Sequence, residues 1–301
     1  MTTTTPGPGP RIATTPKFPI LNTNTIEQNR LALLFFGESD TGKTYSALTF
    51  PNPFVVYFDT NLSTLRKVDN VPFMTPASWL EIERDILPAI RNRRLSELVG
   101  RKVETVIFDS LTFFNSMRIA ELTNKGKMEM ANTQWSDLYA NINAVVRAGA
   151  DATRPLSGRP DAETYHFICT VHKTVRMDKK GAVIKVAPTV DGQMRDQLYS
   201  FFDAVLVFDS QTVPKQIPQE GNRPPKTVYE KERFAWTVDP DTLTKTKNHI
   251  GTIPAKIIPT YANLTAFWPM DGRVPNALPL DEPAELGVDM SQHNTTEGST
   301  P

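Results

Sequence analysis

Residues 37–44 read Gly37-Glu38-Ser39-Asp40-Thr41-Gly42-Lys43-Thr44, and this octapeptide constrains the chain more than any other part of it. It is a full Gly-x-x-x-x-Gly-Lys-Thr loop, placed directly after an apolar run at residues 31–36 and before a helical stretch at 43–49. That context is what makes the motif specific. Glycines permit the backbone angles that turn successive N–H groups inward around a β-phosphate, and the helix that follows presents its positive end. Lys43 then reaches the β and γ phosphates as a point charge, and the Thr44 hydroxyl is a ligand for magnesium. All eight residues are therefore expected to bind nucleotide, with ATP and Mg2+ as the cofactors.

A strand, a phosphate loop and a helix make the first step of a βαβ pattern, and the rest of the chain continues it. Runs at 31–36, 54–58, 105–108, 166–171 and 204–208 are nearly continuous in apolar residues, as strands buried on both faces must be. Helices are predicted at 43–49, 77–91, 111–122 and 134–148, the last with Trp135, Leu138, Ile142, Val145 and Val146 on a helical period. The fold class is α/β, a mostly parallel central sheet flanked by helices. Residues 174–190 differ: charged and apolar residues alternate around Lys179, Lys180 and Gly181, which predicts a β-hairpin projecting from the sheet. A further strand near 233–238, a loop with Lys245, Lys247 and His249, and a short helix near 261–268 follow.

The ends are of another kind. Residues 1–20, rich in Thr, Pro and Gly, hold too few apolar groups to offset the entropy of ordering them, and read as a disordered arm. Residues 271–301 read as an acidic disordered tail; from 281 onward it carries Asp281, Glu282, Glu285, Asp289 and Glu297 without a Lys or Arg. A single domain is expected between them, at 21–270.

Lys plus Arg and Asp plus Glu both number 33, so indiscriminate coating of nucleic acid or membrane is excluded and any such partner must meet a local patch. No apolar run approaches membrane-spanning length and the N-terminus has no signal-peptide core, so no membrane partner and a cytoplasmic location are expected. The single cysteine, Cys169, lies in an apolar run and reads as a small core hydrophobe.

Magnesium between a hydroxyl and phosphates needs a carboxylate from the end of a neighbouring buried strand. Val106-Ile107-Phe108-Asp109 supplies it at Asp109; the competing reading is a helix cap, a role Ser110 also fits. Hydrolysis further requires a group that orients or deprotonates water. Asp59, at the end of the second strand, is placed to polarise water, whereas Asn61 beside it has no basic carboxylate. His172, at the end of the fourth strand, is placed to hydrogen-bond the γ-phosphate and report its presence to the hairpin beyond. Local turn chemistry is the alternative for each. The predicted catalytic set is Lys43, Asp59, Asp109 and His172, with Thr44 and Asp109 for the metal.

Taken in order, the phosphate loop, Phe58-Asp59-Thr60, Ile107-Phe108-Asp109-Ser110-Leu111-Thr112, Gln134-Trp135, Thr170-Val171-His172-Lys173, Pro188-Thr189-Val190-Asp191-Gly192, Phe202-Asp203 and Lys245-Thr246-Lys247 resemble a known group. The chain is similar, over residues 31–268, to RecA-like phage ATPases of the Sak-four single-strand recombinase type, which carry an AAA-type ATP-binding domain. The resemblance implies a RecA-like core, an ATPase stimulated by single-stranded DNA, and a role in annealing or strand exchange during phage recombination. It also implies a homo-oligomer, ring or filament, working with a single-strand-binding protein in the host cytoplasm. By the same resemblance the loops near 124–133 and 173–192 face DNA. The second carries Lys173, Arg176, Lys179, Lys180 and Lys185 against Asp178 and Asp191, a local positive excess suited to phosphates. Lys245 and Lys247 stand where such enzymes insert lysines into a neighbouring subunit's ATP site.

One departure bears on catalysis: this group commonly has a glutamate two residues after the strand-ending Asp, and here Asn61 stands there. That feature motivates a second expectation, a nucleotide-gated DNA-binding protein with little turnover. A third, a small-molecule phosphotransferase, shares the phosphate cradle; no compact arginine-rich lid accompanies it here.

Overall fold

The computed structural model describes residues 30–59, 61–126, 129–156, 159, 161–191, 194–217, 225–241, 244–249 and 253–267. The arm expected at 1–20 and the tail expected at 271–301 lie outside the described residues, as do Thr60, Gly192 and Trp268.

The described strands are β1 (Ala32–Gly37), β2 (Pro53–Tyr57), β3 (Phe73–Met74), β4 (Thr105–Asp109), β5 (His166–Met177), β6 (Val183–Pro188), β7 (Ala204–Ile217), β8 (Lys226–Trp236), β9 (Lys247–Asn248) and β10 (Lys256–Ile257). They form one sheet in the order β10-β8-β7-β1-β5-β4-β2-β3, with β6 paired to β5 and β9 to β7. The run from β7 to β3 is parallel, and β6, β8, β9 and β10 are antiparallel additions. The fold is thus mixed α/β with a mostly parallel sheet, as expected of a P-loop NTPase domain.

Alternation explains why the strands read as unbroken apolar runs. Leu34 and Phe36 of β1 face one core layer, with Val56, Phe108, Cys169 and Val171. Leu33 and Phe35 face the other, with Val55, Ile107, Ile168 and Leu206. Both faces are covered, so neither set of alternate positions tolerates a charge. The first layer is closed by the helical stretch that runs through Trp79–Glu81, Ile82–Ile86 and Leu87–Arg91, and by the helices Leu111–Leu122 and Asn132–Asp151. Helix Lys43–Leu48 and helix Tyr261–Phe267 close the second. Cys169 is fully buried, and burial pushes its thiol well above the ordinary range, in keeping with a core hydrophobe.

Several predicted elements differ in detail. Helix Asn132–Asp151 buries Leu138, Ile142, Val145 and Val146 as its period requires, but Trp135, assigned to the same stripe, is 40% exposed. The buried stripe begins one turn later, and the first turn is tied down by polar contact instead, Gln134 Nε2 donating to Leu122 O at 2.5 Å. The stretch 77–91 starts at Trp79 and contains a π turn at Ile82–Ile86. The strand expected near 233–238 is longer and earlier, Lys226–Trp236, because it pairs residue for residue with β7 out to Ile217↔Lys226. Lys247, expected in a loop, belongs to β9.

The hairpin expected at 174–190 is present as β5 and β6, paired from Lys173↔Pro188 to Met177↔Val183. Its turn is closed by Asp178, whose carboxylate accepts the backbone N–H of Lys180 at 2.8 Å and of Ala182 at 2.9 Å, with Gly181 at φ 83°. Among the described residues, no helix is long and apolar enough to cross a membrane.

Candidate nucleotide site

Register assembles the site at the C-terminal edge of the parallel strands, where ligands of open α/β sheets bind. Gly37, the last residue of β1, lies level with His172 on β5 and Phe208 on β7. Asp109, the last residue of β4, lies level with Tyr57 on β2. Gly37 must be glycine: a Cβ there would stand 2.5 Å from Phe208 O, a backbone atom that cannot move aside. Gly42 takes φ 93°, in the left-handed region, and precedes helix Lys43–Leu48.

Lys43 is buried, and its Nζ donates to Gly37 O at 2.9 Å and to Glu38 O, folding the ammonium into its own loop. Burial lowers its pKa to about 8, opposed by Asp109 and Glu38. Thr44 Oγ1 donates to Asp109 Oδ2 at 2.6 Å, and Thr170 Oγ1, from β5, donates to Asp109 Oδ1. Desolvation pushes the Asp109 carboxyl up, while those two hydroxyls and Lys43 pull it down. The capping role belongs to Ser110, whose Oγ accepts from Phe113 N at 3.4 Å.

These residues surround a cleft of about 590 Å³, lined among others by Lys43, Thr44, Asp59, Asp109, His172 and Arg233. The donor set fits a magnesium–nucleotide complex. Thr44 and Asp109 oxygens converge within 2.6 Å, and the described residues gather no cluster of three or more His, Cys, Asp or Glu that would hold a metal alone. Thr44 and Asp109 would hold a small hard cation with one hydroxyl and one carboxylate from the chain. Its chemistry would be to neutralise charge developing on the phosphates.

Asp59 and Asn61 both line the cleft, engaged in local turns: Asp59 Oδ1 accepts from Asn61 N at 3.1 Å, and Asn61 Oδ1 from Ser63 N at 3.1 Å. Tyr57 Oη donates to Asn61 O at 2.5 Å, which ties this turn to the end of β2. His172 is half-buried, edge-on to Phe113 with ring centroids 5.4 Å apart. Desolvation, assisted by Lys43 and opposed by Asp59, lowers its pKa, which favours the neutral imidazole.

Of the predicted DNA-facing cations, Arg176, Lys179 and Lys180 are exposed on the projecting hairpin and Lys185 lies opposite Arg176. Lys173 instead turns back to the phosphate loop, pairing with Glu38 at 3.0 Å. Lys245 pairs with Asp239 at 2.9 Å. Lys247 donates to Phe202 O at 2.5 Å and Tyr199 O at 3.2 Å, capping a helical turn of its own chain. Three contributors were missed in the sequence: Thr170, and Lys231 and Arg233 of β8, both bound to Asp40. Thr170 was signalled by its place in the Thr170-Val171-His172-Lys173 motif and as a polar residue within a mostly apolar strand, without a role; nothing local marked the other two.

The cradle, the carboxylate two strands away and the helix behind the loop define a P-loop NTPase site. The AAA domain family matches residues 29–249, and the chain belongs to that family. A search of curated proteins finds no match. Family and site together make the chain a nucleotide-binding P-loop protein of ATPase type.

Proposed function

We propose that this chain is a RecA-like ATPase of the Sak-four recombinase type: it binds and hydrolyses ATP, binds single-stranded DNA, and assists annealing or strand exchange in phage recombination as a homo-oligomer. The observation that carries the reading is the position of His172, in the wall of the nucleotide cleft and at the root of the basic hairpin. The helix following Asp109 grips both feet of that hairpin. Thr112 Oγ1 accepts from His172 N at 2.9 Å, and Asn115 Nδ2 donates to Asp191 Oδ2 at 2.8 Å. A change at the phosphates therefore has a short packed route to Arg176, Lys179, Lys180 and Lys185, the cations suited to a nucleic-acid backbone.

In the proposed assembly, the single-strand-binding protein is a partner and Lys245 and Lys247 reach a neighbouring protomer's nucleotide after leaving the contacts described above. Steady-state ATP hydrolysis by the parent and by Lys43→Ala, with and without a long single-stranded oligonucleotide, tests the proposal. Stimulation by DNA in the parent alone supports it; turnover indifferent to DNA refutes the recombinase reading and leaves the nucleotide site standing.

A second reading, a nucleotide-gated DNA-binding protein with little turnover, is favoured by one specific observation. The Asp59 carboxylate is engaged by the Asn61 N–H, and Asn61 offers no base. Parent protein that binds ATP and DNA together without measurable turnover would select it.

A further inference from the structure

The long β7–β8 hairpin leans on the phosphate loop through two cations. Lys231 and Arg233 stand two apart on β8, so both side chains leave the same face of the strand. Both meet Asp40, inside the phosphate loop. Lys231 Nζ donates to Asp40 Oδ2 at 2.9 Å and to Asp40 O at 3.3 Å; Arg233 donates to Asp40 Oδ1 at 3.1 Å through Nη2 and to Asp40 O at 3.2 Å through Nε. The Arg233 stem crosses directly over Gly42, where an added Cβ would stand 3.0 Å from Arg233 Cδ. Arg233 also lines the cleft beside Lys43 and Thr44.

This placement comes from the same chain and from a rigid element. β8 pairs with β7 continuously from Val207↔Trp236 to Ile217↔Lys226, with Ser210 opposite Arg233, and β7 pairs with the phosphate-loop strand itself. Phe234 and Trp236 pack edge to face at 5.4 Å with the Lys256 ammonium 3.7 Å from the Phe234 ring centroid, which fixes the strand on its other side.

A carboxylate within a loop that receives phosphate opposes binding unless it is neutralised. Two cations on one carboxylate do more than neutralise Asp40: they leave this corner of the cleft with a net positive charge. The Asp40 side chain is 72% exposed, so its ion pairs are weak and exchangeable. A phosphate offers the Arg233 guanidinium a stronger, bidentate partner.

We infer that Arg233, acting in cis, is a phosphate-contacting residue that distinguishes nucleoside triphosphate from diphosphate, held over the loop beforehand by Asp40 with Lys231 sharing the carboxylate. Arg233 exchanges Asp40 for the terminal phosphate by a change of side-chain partner, while β8 keeps its pairing with β7. The inference rests on the nucleotide reading of the cleft and goes beyond it, since it needs neither DNA nor a neighbouring subunit.

The test is equilibrium binding of magnesium-ATP and magnesium-ADP to the full chain, for the parent, Lys43→Ala, Arg233→Ala and Arg233→Lys, with thermal melting as a check of folding. Arg233→Ala is expected to lower the ATP-over-ADP preference about tenfold, the worth of one charge-assisted contact, with Arg233→Lys in between. An unchanged ratio in folded Arg233→Ala overturns the inference; should that variant not fold, an unchanged ratio in Arg233→Lys does so. If the parent binds neither nucleotide, the reading of the cleft itself fails; if the parent binds and Lys43→Ala does not, only the role of Arg233 is at stake. Mixing Lys43→Ala with Arg233→Ala chains separates cis from trans. No recovery of ATP turnover supports the cis assignment, and recovery overturns it.

Discussion

Replacing Thr170 with valine removes one hydroxyl and keeps the branched shape, in a strand position with no solvent exposure. The lost hydroxyl donates to Oδ1 of Asp109, a buried carboxylate whose other oxygen is bound by Thr44 at 2.6 Å. No water replaces a donor in so enclosed a place, so the cost is that of a hydrogen bond to a charged group, about 1.5–3 kcal/mol. At about 1.4 kcal/mol per tenfold, kcat/KM for magnesium-ATP is expected to fall roughly 10- to 150-fold. The pH profile carries the sharper signature. Desolvation already raises the Asp109 carboxyl, and Thr170 is the first influence that lowers it again. Without Thr170 the carboxyl rises further, so the acid limb of kcat/KM moves to higher pH. A raised folded-state pKa also means that the ionised carboxylate destabilises the fold increasingly as pH rises, so Thr170→Val loses most stability near neutrality and approaches the parent in acid. Steady-state hydrolysis across pH, paired with thermal melts, measures both. An unmoved acid limb with kcat/KM within about twofold of the parent would refute the claim that Thr170 tunes the Asp109 carboxylate.

Three further predictions follow from the same geometry. Lys43 has a pKa of about 8 through burial, and phosphate binding needs its ammonium, so ATP affinity is full below that value and weakens as pH rises through it. Calorimetric titration at about pH 7 and about pH 9.5 should show the decline, and equal affinities contradict it. Gly149→Ala places a Cβ 2.2 Å from the ring of Phe167, itself fully buried between Phe108 and Phe202. The clash of about 3 kcal/mol exceeds the helix-propensity gain of about 1 kcal/mol, and the melting temperature should drop by roughly 4–8 °C; a rise would show that the ring has room. Asn115→Leu removes the link to Asp191 at 2.8 Å, and is expected to leave DNA-independent hydrolysis in place while abolishing DNA stimulation. Retained stimulation would place the coupling elsewhere.

The phosphate loop was legible because its chemistry is local. Gly37, Gly42, Lys43 and Thr44 act through backbone angles and a helix start that adjacent residues determine, and the structure places them together with Asp109. The parallel strands were legible because burial on both faces leaves few polar positions in them, so 31–36 and 105–108 stand out as mostly apolar runs. Trp135 misled because a helical period records which residues share a stripe and not how far along the helix that stripe is covered.

By itself, then, the sequence determined the nucleotide cradle, the α/β class and the β5–β6 hairpin, each encoded by residues a few positions apart. Only the tertiary structure decided what surrounds the cradle. Strand order sets β5 between β1 and β4, which brings Thr170 to Asp109 across 61 positions and His172 level with Gly37. The pairing of β8 with β7 carries Arg233 back to Asp40 across 193 positions. Period and composition record local preference, whereas these contacts depend on the crossover of the chain between strands, which no window of neighbouring residues contains.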